Sequence, residues 1–244
     1  MQGVHSAGFC GIFHLQSLTI SAFRASRAKV LLLLWLASAS GGIAQEPAAP
    51  RPQKIQRASS ESYEDILRKV KENDSGVVYR EFRLAYAESA QYKPNADPEA
   101  RKSMFAALSE KDFKKAAAVA ETILKDRYVD IYGHQVASVA YRELGDRAKS
   151  SIHGSIARNL IQSIVESGDG NSAPTAMLLI SEEEETIILQ ALSLKMVGQE
   201  LMDEDGHTYD RVEAMEPGEG LVTLYFNLDV PIIKMRESIA DIKE

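Results

Sequence analysis

Apolar residues recur every three or four positions over residues 97–167, a spacing that indicates amphipathic helices. Breaks near Ser109, Arg127 and Gly145 divide this stretch into segments of helical length. The pattern predicts four helices in two antiparallel pairs: Pro98 to Leu108, Asp112 through Leu124, Val129 to Leu144, and a last helix that ends at Gly168-Asp169-Gly170. This region is therefore expected to be entirely helical.

The same stretch shows a period of 34 residues. The repeated positions are Asp112 and Asp146, Ala106 and Ala140, and Ala116 and Ser150. A short-turn helix pair repeated at this interval resembles tetratricopeptide repeats, in which small residues let paired helices approach closely. Fewer than three repeats cannot form a stable solenoid alone, so we expect the flanking segments to cover the exposed faces.

Two further helices are predicted before this region. The first begins near Ser60, where a serine can cap it, and ends near Asn73. The second starts around Tyr79 and stops before Tyr92-Lys93-Pro94, because the residue that precedes a proline is pushed out of the helical region.

The remaining segment, residues 168–244, changes from a helical to a mixed pattern. It contains a short apolar strand over Ala176–Ile180, a helix capped by Ser181 and Glu184 whose apolar face extends to Met196, a hairpin of His207–Met215 and Leu221–Asp229, and a closing amphipathic helix. We expect an α+β fold that is mostly α: tetratricopeptide-like antiparallel helix pairs followed by a small antiparallel β-sheet module with helices.

The N-terminus has the pattern of an export signal. Residues 1–44 contain three basic and no acidic residues, and the apolar run Val30–Leu36 is too short for a permanent membrane helix. Small residues up to Ala44 fit cleavage by signal peptidase after that position. We therefore predict a signal peptide at 1–44, a Pro-rich flexible linker at 45–60, a helical region at 61–167 and an α/β module at 168–244, with 61–244 as one folded unit.

Export would change the composition of the protein. Loss of three basic residues from a chain of net charge −7 leaves a mature net charge of −10, which disfavours nucleic acid and anionic membranes as partners. The only cysteine, Cys10, would be lost with the leader, which excludes a disulfide or a thiolate nucleophile from the mature chain. The expected location is periplasmic or secreted, without stable membrane insertion after cleavage.

Several residue groups form a recognisable pattern: Phe82–Tyr86 with Tyr92-Lys93-Pro94, Gly168-Asp169-Gly170 with Ala176 and Ile180, Gly198-Gln199, Tyr209-Asp210, and Leu224–Asn227 with Asp229 and Pro231. Together they resemble the pattern of DUF4919, a bacterial family of exported domains of unknown function. The resemblance covers nearly all of the mature chain. It implies an exported protein and leaves the reaction, if any, open.

No catalytic or metal-binding constellation is recognisable. The histidines after the leader, His134, His153 and His207, lie on different predicted elements without helical spacing between them. The acidic segment Asp203–His207 has no glutamate at the twelfth position of a calcium loop and is interpreted as a solvated turn. Gly168-Asp169-Gly170 follows a helix and precedes a strand, which is the wrong order for a phosphate loop. No cofactor is predicted.

Six polar residues within otherwise apolar elements are the candidate binding residues: Arg83, Gln199, Tyr209, Asp210, Tyr225 and Asn227. Buried polar groups require partners, so a network between the helical and β parts is expected first. The leading hypothesis is a non-catalytic envelope protein that binds a protein or peptide partner. One alternative is a small-molecule module with a cleft lined by Tyr209, Tyr225 and Asn227; another is a hydrolase that uses scattered carboxylates such as Asp169, Asp205 and Asp210. The sequence does not determine the oligomeric state.

Overall fold

The computed structural model describes Arg57 and residues 59–241, all within the second of the chain's two units, Ala49–Glu244. The predicted signal peptide with its cleavage site, and most of the predicted linker, lie outside the described residues. Within the described part, no helix has both the length and the apolar character needed to cross a membrane.

The described chain folds into helices followed by a small sheet. In chain order the elements are α1 (Tyr63–Lys71), α2 (Tyr79–Glu88), α3 (Pro98–Ser109), α4 (Phe113–Asp126), α5 (Ile131–Glu143), α6 (Arg147–Val165), a 3-10 turn (Ala173–Thr175), β1 (Met177–Leu178), α7 (Glu183–Ala191), β2 (Lys195–Glu204), β3 (His207–Glu216), β4 (Gly220–Asn227) and α8 (Asp229–Asp241). The expected α+β class with a majority of helix is confirmed.

The 34-residue period corresponds to the positions of two helix starts. The side chains of Asp112 and Asp146 cap α4 and α6 by accepting hydrogen bonds from the backbone N–H groups of Lys115 and Lys149, each at 3.0 Å. Before each cap, Lys111 and Gly145 have positive φ angles of 61° and 84°. The period therefore reflects two turns of similar backbone shape. The tetratricopeptide-like description of the helix pairs stays a prediction.

Small residues allow close packing of α3 to α6. Each of these helices contacts the next along the chain, and Ala116, Ala120, Ala137 and Ala140 have no solvent exposure at these contacts. Side chains without long branches let helix axes approach, and dispersion contacts then accumulate over the interface. Helix α6 also contacts α2, α7 and β1, so it connects the helical part to the sheet.

The sheet has four strands in the order β1-β4-β3-β2. Strands β2, β3 and β4 are antiparallel neighbours, whereas β1 pairs in parallel with β4. The hairpin predicted from the sequence is confirmed as β3 and β4. The sheet is mixed rather than purely antiparallel, because Met177 and Leu178 pair in parallel with β4, which follows them along the chain only after α7, β2 and β3.

Strand β2 was not predicted. The apolar pattern favoured a helix as far as Met196, but α7 ends at Ala191, and Ser193 adopts a left-handed conformation with φ 59°. The backbone N–H of Leu194 donates to the carbonyl of Leu189 at 2.8 Å, a bond that closes the helix end without a glycine. The following residues are then free to pair with β3.

Two local interpretations change. The Ser181 and Glu184 capping box is not formed: Glu182 is the N-cap residue, and the Ser181 hydroxyl has no hydrogen-bond partner in the described part of the chain. Gly168 does not end α6, which stops at Val165. A Cβ atom at Gly168 would lie 2.4 Å from the carbonyl oxygens of Thr175 and Ala176, so close backbone approach requires this glycine.

Candidate functional site

Strand β2 forms one edge of the sheet. It pairs with β3 on one side, and its other side faces no strand among the described residues. A tight turn at Asp205 and Gly206, both with positive φ, joins it to β3 and matches the solvated turn expected there. The strand spans ten residues, and a free edge of this length presents unpaired backbone donors and acceptors to other chains.

Three exposed apolar side chains lie on one face of this edge. Met196, Val197 and Leu201 are 37%, 53% and 63% exposed. The pairing shifts by one residue between Met196 and Gly198, which makes Val197 the extra residue of a β-bulge. Met196 pairs with Ala214, which lies on the same face of β3 as Asp210, the partner of Leu201. Val197 points away from the face of its neighbour Gly198, so the bulge places Met196 and Val197 on the same face as Leu201. We call these three residues the edge stripe.

A polar cluster lies beside the edge stripe, on the face of the sheet that α7 covers. Gln199 of β2 donates a short hydrogen bond from its amide to Oδ2 of Asp210, which is buried on β3. The other oxygen of Asp210, Oδ1, is buried and has no donor from an N–H group in the described structure. The carboxyl of Glu185, from α7, contacts Asp210 and is also buried.

Burial first, and then the charge of Asp210, raise the pKa of Glu185 to about 8. Glu185 therefore holds its proton at neutral pH. The two carboxyl groups and Gln199 form a polar cluster that joins α7, β3 and the edge strand.

Arg83 lies in a second buried cluster, on the other side of α7. Its Nη2 donates to Oε2 of Glu184 at 2.6 Å and to the carbonyl of Leu178 at 2.9 Å, and its Nε donates to Oε1 of Glu184 at 3.1 Å. Glu184 also accepts the backbone N–H of Ile180 at 2.8 Å. Arg83 thus connects α2, α7 and the short strand β1, as the expected network between the two parts requires.

The other three candidates lie on the opposite face of the sheet. Tyr209 and Asn227 are directly opposite each other on β3 and β4, and Tyr225 precedes Asn227 on the same face. Tyr209 and Asn227 are buried, and burial together with the charge of Asp229 raises the pKa of the Tyr209 phenol. The side-chain amide of Asn227 donates to Oδ2 of Asp229 at 3.3 Å, so this amide already has a hydrogen-bond partner within the fold.

The structure therefore divides five of the six candidate residues between the two faces of the sheet, and the sixth, Arg83, lies on α2. Gln199 and Asp210 are in contact across β2 and β3, while Arg83 belongs to the adjoining cluster around Glu184.

The carboxylates of the hydrolase hypothesis are not assembled: Asp169 and Asp205 are exposed in separate loops, and Asp210 is buried within β3. The described residues contain no group of three or more His, Cys, Asp or Glu side chains able to hold a metal ion.

Two histidines that are distant in the sequence form a buried pair. Nδ1 of His134 lies 2.9 Å from Nδ1 of His153, and Nε2 of His134 lies 2.9 Å from the carbonyl oxygen of Tyr128. Because the carbonyl can only accept, neutral His134 carries its proton on Nε2 and accepts from His153. Burial first, and then the neighbouring His153, lower the pKa of His134 to about 3.

A cavity of about 460 Å³ lies in the helical part, between residues 93–100 and the end of α4. Its floor includes the buried Arg127, which donates to Asp130 at 2.7 Å and to Glu183 at 2.9 Å. Arg101 binds the same two carboxylates. These contacts neutralise the charges of Arg101 and Arg127 and join α3 and α5 to α7, which gives the network a structural role.

The sequence did not reveal Glu184 and Glu185 as buried residues. The pattern predicted Glu184 as part of a capping box and did not single out Glu185. One signal was present: Glu184 lies three and four residues before Ile187 and Ile188, on the same side of the helix as these buried residues. Glu185 likewise lies three and four residues before the buried Ile188 and Leu189, but its partner Asp210 is supplied by the sheet and could not be identified from the helix pattern.

A family model described as "Domain of unknown function (DUF4919)" matches residues 52–237. Neither the curated proteins nor the solved structures include a match to this chain.

Proposed function

The chain belongs to the DUF4919 family of domains of unknown function, and we propose that it is a non-catalytic, exported envelope protein that binds a protein partner by strand addition to β2. In strand addition, an extended segment of a partner pairs with a free sheet edge. Backbone hydrogen bonds provide affinity, and alternate side chains provide specificity. The binding surface is the outer edge of β2 together with the edge stripe.

The observation on which this proposal rests is the open, ten-residue edge with its exposed Met196, Val197 and Leu201. Proteins normally protect such edges with prolines, charges pointing inward, a covering element or a partner. Here β2 contains no proline, and the bulge places Met196 and Val197 on the same face as Leu201. A partner strand would satisfy the edge backbone and cover the stripe at once.

Export is supported by the sequence of the leader. An acid-free N-terminal region with Arg24, Arg27 and Lys29 precedes a short apolar run and small residues, as in signal peptides. Removal of Cys10 with this segment leaves no thiol to oxidise in the envelope. The interaction surface would then face the periplasm or the exterior.

Site-specific photo-crosslinking in the full chain tests this function. A photoreactive residue placed at Leu201 is expected to give a discrete adduct with a polypeptide in the envelope fraction, and Val197→Lys is expected to abolish it. Ile152, an exposed apolar residue on α6, is the matched control position and is expected to give none. Equal adducts at both positions, or none at Leu201, would refute strand addition at this edge.

A further inference from the structure

The proposed strand addition leaves the partner unidentified, and on that basis we infer that the partner strand is β2 of a second copy of this chain. The two β2 strands would pair antiparallel about a two-fold axis at Gln199. The sheet would then continue through both copies in the order β1-β4-β3-β2-β2-β3-β4-β1. Such an interface is isologous, because the same surface contributes from both sides.

The apolar residues of β2 complement one another in this register. With Gln199 opposite Gln199, the bulge residues Met196 and Val197 of one copy face Leu201 of the other, and the symmetric contact forms a second time. All these side chains lie on the face that α7 covers, as the pairing of β2 with β3 shows. Directly opposed side chains on one face are the units of sheet stabilisation. The edge stripes of both copies would therefore become buried in the same interface.

The charges on the opposite face are also complementary. Because the bulge adds one residue, Lys195 of one copy falls opposite Met202 of the other, and diagonally beside Glu200 and Glu204. Pairing with β3 places these four residues on the same face. Diagonal neighbours are within reach of a lysine side chain. The only basic residue of β2 thus meets two of its three acidic residues, twice in the dimer.

Two of the neighbouring registers are less favourable. A two-fold axis at Glu200 would place this carboxylate directly opposite its own copy, and like charges in opposed positions destabilise a pair. An axis at Leu201 would leave Met196 and Val197 beyond the end of the partner's pairing segment. The register about Gln199 covers the stripe and matches the charges.

The rest of the described sheet offers no comparable edge. The opposite end is β1, which has only two residues, Met177 and Leu178, both buried against α6 and neighbouring elements. A second copy therefore covers the long edge that the described residues leave unpaired.

Cysteine cross-linking tests the register directly, because Cys10 is the only natural cysteine. In the full chain with Cys10→Ser, Gln199→Cys is expected to form a disulfide-linked dimer under mild oxidation. Opposed Cα atoms in an antiparallel pair are about 4.5–5.5 Å apart, within disulfide range. Leu201→Cys is the register control: two Leu201 positions would be offset by four residues, roughly 13 Å, and should not cross-link.

The double variant Val197→Cys with Leu201→Cys is expected to cross-link, since these positions oppose each other.

Light scattering after size exclusion is expected to show a dimer for the natural chain and for Ile152→Lys, and a monomer for Leu201→Lys with an unchanged circular dichroism spectrum. Cross-linking of Leu201→Cys as efficient as that of Gln199→Cys would overturn the register. A monomeric natural chain at all concentrations would overturn the second copy as partner.

The two proposals fail in different ways. A monomeric chain whose Leu201 position still cross-links to a different polypeptide refutes self-pairing and retains strand addition. A monomeric chain without any adduct at Leu201 refutes both.

Discussion

The guanidinium of Arg83 and the carboxylate of Glu184 form a two-point ion pair across 101 residues of sequence, with distances of 2.6 and 3.1 Å. Their side chains are only 1% and 4% exposed. The pair joins α2 to the start of α7, and both partners also bind backbone groups next to β1. It is one of the polar contacts that connect the helical part to the sheet.

Removal of either partner should destabilise the fold strongly. Arg83→Met leaves the Glu184 charge buried without its cation, and Glu184→Gln leaves Arg83 without its anion, each at a cost of about 3–5 kcal/mol. The double variant should lose less than the sum of the two, because no unpaired charge remains. The free energy of unfolding in urea measures all three.

Lys93→Met is the matched control for this pair. It breaks an ion pair with Asp126 of 3.1 Å, but both side chains are well exposed, so a loss below about 1 kcal/mol is expected. Similar losses for Arg83→Met and Lys93→Met would contradict the role assigned to the buried pair.

Glu185 should make the fold less stable as the pH rises. Its pKa is raised from 4.5 to about 8 by burial, by Asp210 and, to a smaller extent, by Glu182. Between these values the folded state keeps a proton that the unfolded state releases. The stabilisation is therefore complete below about pH 4.5 and lost progressively toward pH 8, with a slope of at most about 1.4 kcal/mol per pH unit.

Glu185→Gln should remove this slope, because an amide can donate to Asp210 without titrating. Urea unfolding of both proteins at intervals from pH 5 to 9 provides the comparison. Glu182→Gln changes a nearby exposed carboxylate and should retain most of the slope. A natural protein whose stability depends on pH over this interval in the same way as that of the Glu185→Gln variant would disprove the protonation assigned to Glu185.

His134 should make the fold less stable as the pH falls, which is the opposite pH dependence to that of Glu185. Its pKa is lowered to about 3 by burial and by His153, against the smaller opposing effects of the Tyr128 carbonyl and Asp130. Below about pH 6.5 the unfolded chain binds a proton that the folded chain excludes, so stability falls as the pH drops toward 3. We expect the His134 ring to show no titration between pH 5 and 8 by NMR, and a midpoint near 6.5 would refute its burial.

The two turns related by the 34-residue period should respond in opposite ways to substitution. Lys111 has φ 61°, a conformation that costs a side-chain-bearing residue about 1–2 kcal/mol, so Lys111→Gly should stabilise the protein by roughly 0.5–1 kcal/mol. Gly145→Ala should destabilise it by about 1 kcal/mol; the added Cβ meets no atom within 4 Å, so the cost is conformational.

Thermal or urea unfolding measures both changes. Ser109→Gly, within the last turn of α3, is a control in which glycine should destabilise a helix rather than relieve strain. A loss of stability for Lys111→Gly similar to that of Ser109→Gly would contradict the equivalence of the two turns.

Helices α1 to α6 and the hairpin of β3 and β4 could be predicted because their signals are local. Apolar spacing defines the helix faces, Asp112 and Asp146 provide caps at the helix starts, and Pro217 and Gly218 separate two β-rich runs. These features act over a few residues and do not depend on the rest of the fold.

Strand β2 and the polar clusters could not be predicted in the same way. The end of α7 at Ser193 has no glycine to indicate it, and β2 is exposed, so its composition lacks the apolar alternation of a half-buried strand. Gln199 and Asp210 were identified as candidate residues, but their partner Glu185 belongs to another element. Contact between the distant His134 and His153 depends on how α5 packs on α6.

The sequence by itself determined the helical periods, the capped turns, the β3–β4 hairpin and the family, because each depends on short-range preferences or on a pattern along the chain. Only the tertiary structure decided that β2 forms an edge that no other described strand covers, that Glu184 meets Arg83, and that Glu185 is buried against Asp210. These depend on which elements pack together, since burial and the distance between groups remote in sequence are set by the packed core and not by local spacing.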